Sequence, residues 1–239
     1  MAILGWLGNV GALDPLSIVT SKNAKLYLIG DLGITIGTGV SAWADQSGNS
    51  AHASQGTAGF QPSYNLTGLN GKGTVLFDGS DDFLNFTTFS RPAPATTPSW
   101  FWIIFRQITW TNTDSIFGGT ATSSRLYAAT STPSLYQRNS ASINGPNGGA
   151  VINTWTRGEV LFTGSSSDSL KLASTVVTGG NSGNTSLVAG NFNLGSHLSS
   201  AGWSNIEVAA FACWDGEPTS IEKTSLDTWA NAYYQSVAI

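Results

Sequence analysis

The stretch FDGSDDFLNF, Phe77 to Phe86, puts three carboxylates, Asp78, Asp81 and Asp82, within five positions of a 239-residue chain that has 14 acidic residues in all. Two kinds of chemistry suit that spacing. Clustered carboxylates could supply part of the about six to eight oxygen ligands that calcium takes, although the regular loop of an EF-hand is missing. Asp and Gly are also turn formers. Gly79 can enter the left-handed region, and a carboxylate at such a corner accepts N–H bonds from the backbone it closes. The tight-turn reading is the simpler one, and Asp78, Asp81 and Asp82 remain the metal candidates, for calcium. Asp45 and Asn49 read as turn residues on the same grounds.

Other reactive side chains are few. The single cysteine, Cys213, lies in the apolar run VAAFACW and reads as a buried, inert thiol. With one cysteine, neither an internal disulfide nor a cysteine zinc site can form. His52 and His197 sit in Ser/Gly-rich stretches with no Gly-x-Ser-x-Gly elbow nearby, so they read as exposed loop histidines rather than members of a Ser-His-Asp triad. GGNSGN, Gly179 to Asn184, does not open a helix after a strand and reads as a turn, not a phosphate loop.

The elements that must hold these residues are short strands. From Ala24 onward AKLYLIG, GTVLFDG, WFWIIF, SRLYAAT, PSLYQRN, RGEVLFTG, DSLKLAS, TSLVAGNFNLG and IEVAAFACW recur between Gly, Ser, Asn and Pro clusters. That rhythm predicts a β-sandwich or barrel. RLYAATSTPSLYQR reads as a hairpin turning at Ser131, Thr132 and Pro133. Only one helix is convincing, EPTSIEKTSLDTWANAYY, where Thr219 and Glu222 have capping-box spacing. Leu226, Trp229, Ala230 and Tyr233 then form its apolar stripe. RPAPATTP, Arg91 to Pro98, reads as a loop within one domain. Residues 1–23 fall outside the strand pattern and read as an N-terminal arm before a domain of residues 24–239.

Charged residues make up 10% of the chain, against roughly 25% in an average soluble domain. The surface is therefore expected to be neutral and polar. A net charge of −4 and ten scattered basic residues leave no cationic stripe for phosphates, which argues against nucleic-acid binding. No apolar run reaches the roughly 18 residues of a membrane span. The first basic residue is Lys22, so the positive opening of a secretory signal is missing.

Read in order, VSAWADQSGNSAHASQG, QPSYN and NGKGTVLFDGSDDFLNF resemble the opening of laminin-G-like domains of the concanavalin A-like lectin/glucanase superfamily, as found in phage virion proteins. Trp43, Asp45, Ser47, Gly48 and Asn49 carry the first part, Pro62 and Tyr64 the second. Phe77, Asp78, Gly79, Asp81 and Asp82 carry the third. The resemblance spans about residues 24 to 236 and implies an all-β, two-sheet antiparallel jelly-roll sandwich with a short C-terminal helix.

The superfamily includes glycoside hydrolases, which need two facing carboxylates. Relatives carry them as Glu-x-Asp-x-Glu on one strand. Here the four glutamates, Glu159, Glu207, Glu217 and Glu222, are scattered, and NIEVAAFACW has one carboxylate. A non-enzyme is expected. Lectins of this fold stack aromatic rings on sugars and satisfy the hydroxyls with Arg, Asn, Asp and Gln. The glycan-binding candidates are Trp110, Arg125, Tyr127, Tyr136, Arg138, Trp155 and Trp203, against the competing reading that each packs a sheet. Trp43, Trp100, Trp102 and Trp214 are assigned to the core.

A lectin-like sandwich without a secretory signal, with a low-charge surface and an apolar arm, fits a bacteriophage virion protein. The expected roles are capsid decoration or a tail component, held to other virion proteins through residues 1–23 and displayed at the virion surface. A cell-surface or mucus glycan is the expected ligand. The rival is a carbohydrate-binding module or lectin of an extracellular bacterial protein. A homotrimer would suit a decoration or fibre protein, and no residue requires it.

Overall fold

Neighbouring residues of the WFWIIF run serve two different cores, because successive side chains of a strand point to opposite faces. The computed structural model describes residues 24–119, 124–139, 145–197 and 201–235, so the expected arm, residues 1–23, lies outside the described residues. The described chain begins with β1 (Ala24–Ile29), β2 (Ile34–Ile36), β3 (Val40–Trp43), β4 (Ala53–Ser54), β5 (Ser63–Leu69) and β6 (Lys72–Asp78). Next come β7 (Leu84–Phe86), β8 (Ser99–Gln107), β9 (Ser115–Gly119), β10 (Arg125–Ala128), β11 (Ser134–Arg138) and β12 (Asn147–Gly149). They are followed by β13 (Trp155–Phe162), β14 (Ser169–Leu172), β15 (Thr175–Thr178), β16 (Phe192–Leu194), β17 (Asn205–Asp215) and a helix over Ser220–Tyr233.

The strands form two antiparallel sheets. One runs β15-β14-β13-β8-β17-β6-β5, with β1 also paired to β17, and the other runs β12-β11-β10-β9-β16-β7-β4-β3-β2. Between the sheets lies one core, holding Phe101, Ile103 and Phe105 of β8 with Phe117, Leu126, Leu135, Phe192 and Phe211. Trp100, Trp102 and Ile104 point the other way and meet Trp214, Leu226 and Ala230 in a second cluster under the helix. All four tryptophans assigned to the core are fully buried, and so is Cys213. Each large side chain so removed from water contributes roughly 1.5–3 kcal/mol. The layers are thus helix, sheet and sheet, and among the described residues no helix covers the outer face of the second sheet. Among the described residues no helix is long and apolar enough to cross a membrane.

The ends of the elements follow local chemistry. Thr219 and Glu222 close the capping box at the helix start. The WADQSGN turn is a clamp built on Asp45. Its Oδ1 accepts N–H bonds from Tyr27 (2.8 Å) and Ser47 (2.9 Å), and its Oδ2 accepts from Ala51 N (3.1 Å) and Ser47 Oγ (2.7 Å). The indole of Trp43 donates to the Ile29 carbonyl at 2.9 Å, tying the same turn to β1.

Candidate functional site

The register of β10 and β11 decides which side chains share a surface. Arg125 faces Arg138 and Tyr127 faces Tyr136, while the intervening pair, Leu126 and Gln137, points inward. Leu126 and Leu135 enter the core between the sheets. Gln137 donates from Nε2 to the Leu161 carbonyl of the opposite sheet, which pins the register. Slipping by one residue would turn both arginines into the core. Arg125, Tyr127, Tyr136 and Arg138 therefore form one cluster on the outer face of the second sheet, on the hairpin that the turn residues Ser131–Pro133 predicted.

Within the cluster Arg125 lies over the Tyr127 ring, 4.3 Å from its centroid, and Arg138 lies 5.8 Å from the same centroid. The Tyr127 and Tyr136 rings are 6.2 Å apart and inclined at 54°. Arg125 and Tyr127 are buried, whereas Tyr136 and Arg138 are half-buried and reach the surface. Cations over a tyrosine face gain about 0.5–2 kcal/mol each, so the buried pair is a rigid floor beneath two presented side chains. Trp110 caps the turn end of the hairpin, donating from Nε1 to the Thr130 carbonyl at 2.8 Å. Trp203 lies alongside β9, bridged to Ser115, which is itself the partner of Tyr127. Its indole nitrogen is buried and has no hydrogen-bond partner among the described residues.

Trp155 is elsewhere. It opens β13 on the other sheet, opposite Arg106, whose guanidinium carbon is 5.5 Å from its ring centroid, and it packs against the cluster under the helix. Six of the seven sugar-binding candidates thus gather at the hairpin and its margins, and the seventh does not.

His197 departs from the expectation of an exposed loop residue. It is half-buried, with Nδ1 3.2 Å from Ser115 Oγ, and Arg125 Nε donates to the same hydroxyl at 2.7 Å. Burial, reinforced by the charges of Arg125 and Arg138, lowers its pKa to about 4, so the ring is neutral. Ser115 is fully buried, and its oxygen is held by the guanidinium. A Ser-His contact of this kind offers no nucleophile to a substrate. Sequence spacing could not reveal it, since 82 residues separate the partners. Two glycines make the room: a Cβ on Gly118 would meet His197 Cβ and Arg125 Cγ at 3.0 Å, and one on Gly202 would meet His197 Nδ1 at 2.4 Å.

Among the described residues the two buried glutamates are held in ion pairs. Glu207 is 1% exposed, ion-paired to Arg106 and hydrogen-bonded by Thr74 and Asn65. Glu159 is held among Lys171, Lys223 and Arg157. Both are committed to structure. His52 is exposed, as its sequence context predicts, with Nδ1 accepting from Asp45 N at 3.0 Å.

At the Asp78–Asp82 turn, ligand oxygens of the three carboxylates all lie within 4.8 Å of one another. Asp82 Oδ2 accepts from Asp78 N at 3.0 Å, and Asp78 Oδ1 accepts from Ser80 N at 2.8 Å. Gly79 takes φ of +78°, and a Cβ there would strike the Asn205 backbone at 2.9 Å. The turn is therefore built by its own hydrogen bonds. Burial raises the Asp82 pKa to about 6, against the Asp78 N–H bond, with the charges of Asp78 and Asp81 adding to the rise. Two of the three carboxylates, Asp78 and Asp82, are already engaged in this way, and three together fall short of the roughly six oxygens calcium requires, so water would have to complete any shell.

Several clefts among the described residues lie away from the hairpin. One, about 310 Å³, is lined by Lys25, Asn49, Thr88, Phe89 and Asp215, with Lys25 and Asp215 ion-paired at 3.0 Å. Another, about 470 Å³, is an apolar groove between the edge strands β2 and β5, lined by Ile36, Tyr64 and Leu66. A third, about 320 Å³ and lined by Trp100, Glu159, Lys171 and Lys223, sets the Lys223 ammonium 5.3 Å from the Trp100 ring centroid, but that ring is 1% exposed.

No family model matches the sequence, and no curated relative was found. Solved structures do match. The sialidase of Trypanosoma rangeli, in complex with sialic acid, superposes with a TM-score of 0.59 at 12% identity, over 87% of this chain and 33% of its own. Domain 4 of AbnA, a GH43 extracellular arabinanase from Geobacillus stearothermophilus in complex with arabinotriose, gives 0.57 at 13% identity, over 85% of this chain and 97% of its own. The ligand binding domain of botulinum neurotoxin serotype D, in complex with N-acetylneuraminic acid, gives 0.57 at 13%, over 92% and 52%.

The likeness is one of fold. It agrees with the two-sheet antiparallel jelly roll implied by the sequence resemblance, and the chain spans about a third of the sialidase.

Proposed function

We propose that the chain is a non-catalytic, lectin-like carbohydrate-binding domain that meets its glycan on the outer face of the β10–β11 hairpin. The observation that carries this reading is the cross-strand register that gathers Arg125, Tyr127, Tyr136 and Arg138 on one outer face of the second sheet. A presented tyrosine ring beside a guanidinium supplies the two contacts a saccharide needs, an apolar plate and hydrogen-bond donors. The arabinotriose bound to the arabinanase domain, which is matched over 97% of its length, supports the same use of the fold. The glutamates buried in ion pairs and the Ser115 hydroxyl buried under Arg125 support the absence of catalysis.

A glycan microarray with the intact chain tests the reading. Binding that is lost in Tyr136→Ala and kept in Trp155→Ala is the expected result, because Trp155 belongs to the other sheet. Binding that survives Tyr136→Ala but not Trp155→Ala would move the site off the hairpin.

We place the domain on the surface of a phage particle, as a decoration or tail component anchored through residues 1–23. The support is the sequence resemblance to laminin-G-like domains and the apolar character of that segment. Capsid, portal or tail genes beside the reading frame are the expected finding. Polysaccharide-degradation genes there would favour a binding module of an extracellular protein instead.

A further inference from the structure

We propose that the open side of the sandwich, where the edge strands β2 and β5 flank the apolar groove, is a contact between two copies of this chain, with Leu66 of each copy seated in the groove of the other.

The two ends of the sheets differ. At one end β12 closes on β14, so tightly that a Cβ on Gly148 would meet Leu172 Cδ1 at 3.2 Å. At the other end β2 and β5 are the last strands of their sheets. Val40 N donates to the Pro62 carbonyl at 2.7 Å, which ties the start of β3 to the approach of β5 beside the groove. Two groove-lining side chains face solvent, Leu66 at 74% and Ile36 at 54% exposure. Four of the eight exposed large apolar side chains among the described residues, Leu32, Ile36, Phe60 and Leu66, fall within residues 32–66. Apolar side chains gathered in this way mark a contact surface.

The occupant is a folded surface rather than an added strand. Between the pairs Asn65–Thr74 and Leu69–Lys72, residues 66–68 stand opposite Gly73 alone, a bulge that displays Leu66. β2 is bulged as well, between Thr35 and Ile36. Bulges bend an edge and interrupt the row of free N–H and C=O groups with which an incoming strand would pair.

Charge then selects a copy of the same surface. From Leu32 to Gly71 the only Asp, Glu, Lys or Arg is Asp45, which is buried in its own turn. The residues that bound this stretch, Asp31 and Lys72, pair with each other at 3.8 Å. A two-fold contact sets residues near the axis against their own counterparts, so a charge there would be repelled by itself. A face with none meets its copy without that penalty and offers nothing to hold a charged partner. The shape is reciprocal too. A protruding leucine and a groove side by side on one face allow a two-fold axis to fill both grooves at once.

The β10–β11 hairpin lies towards the other end of the second sheet, so pairing through β2 and β5 leaves both hairpin faces clear. On the carbohydrate-binding reading the pair is bivalent, while the contact itself does not depend on that reading.

Sedimentation equilibrium of the full chain over a range of concentrations is the test. A reversible equilibrium between monomer and dimer is expected. Leu66→Glu and Ile36→Glu should each weaken it about tenfold or more, because each sets like charges across the axis. Leu66→Asn, checked for folding by its near-ultraviolet circular dichroism, covers the case in which a charged variant does not fold. Val151→Glu changes an exposed valine just beyond β12 and should leave the equilibrium as in the parent. A chain that stays monomeric at every concentration, or that forms trimers, would overturn the proposal. So would a dimer untouched by the Leu66 and Ile36 variants. A parent that dimerises only after removal of residues 1–23 would show that segment filling the groove, which overturns the second copy as its occupant. A blank glycan microarray with the dimer intact would overturn the carbohydrate reading and leave this contact standing.

Discussion

Glu159 and Lys171 face each other across β13 and β14, with Lys171 Nζ 2.6 Å from Glu159 Oε1. Glu159 is 5% exposed, and Lys223 reaches it from the C-terminal helix at 3.7 Å while Arg157 approaches from its own strand at 3.4 Å. One buried carboxylate thereby ties a sheet to the helix that covers it. Glu159→Gln removes the charge and leaves three cations without their common partner. The expected cost is about 3 kcal/mol in urea unfolding. Hydrogen exchange should show the helix amides losing more protection than those of the β10–β11 hairpin, and uniform loss would contradict the docking role.

The same region shows why some of the structure could be read in advance. WFWIIF, the capping box at Thr219 and the hairpin turn at Ser131–Pro133 are local signals, carried by a few adjacent residues, and each appears where it was expected. β2, β4, β7 and β12 are strands of two or three residues, too short to show an alternation, and they form because longer neighbours leave backbone groups to be paired. The candidate face was half legible. Alternation along RLYA and SLYQR aligned two arginines and two tyrosines, but which face was outward depended on the second sheet. The approach of His197 to Ser115 depends on chain returning from 82 residues away, which no local pattern encodes.

Asp45 offers a second test, of stability alone. Its two oxygens accept N–H bonds from Tyr27, Ser47 and Ala51, so Asp45→Ala leaves backbone donors in a buried turn unsatisfied. A loss of about 2–3 kcal/mol is expected. Asp45→Asn, which keeps an acceptor oxygen, should lose less. If both variants unfold at the parent's midpoint, the WADQSGN turn is not the clamp described above.

His197 sets a pH dependence with a definite sign. Its pKa falls from 6.5 to about 4 on folding, so between those values the unfolded chain binds more protons. Stability from this group is present above pH 6.5 and is lost as the pH drops towards 4. Asp114, raised to about 6, works in the opposite direction over part of the same window. His197→Gln should therefore flatten the fall in melting temperature between pH 6.5 and 4, whereas Asp114→Asn should steepen it. Parallel curves for parent and His197→Gln would show that the ring titrates normally.

Asp82 separates the two readings of the acidic turn. Its folded pKa, raised to about 6 chiefly by burial, means the protonated form is favoured in the fold, so its contribution declines as the pH rises from 3.8 towards 6. Without an ion, Asp82→Asn removes the cost of an ionised buried carboxylate while keeping an acceptor for the Asp78 N–H. The variant should then melt higher than the parent at pH 7, and the difference should vanish near pH 3.5. If calcium occupies the turn, the order reverses: the ionised carboxylate becomes a ligand, calcium raises the parent's melting temperature, and a chelator lowers it. In that case Asp82→Asn melts below the calcium-loaded parent and no longer responds to the ion. Melting curves of both proteins at pH 7, with calcium and with chelator, decide between a turn held by its own hydrogen bonds and one completed by a metal.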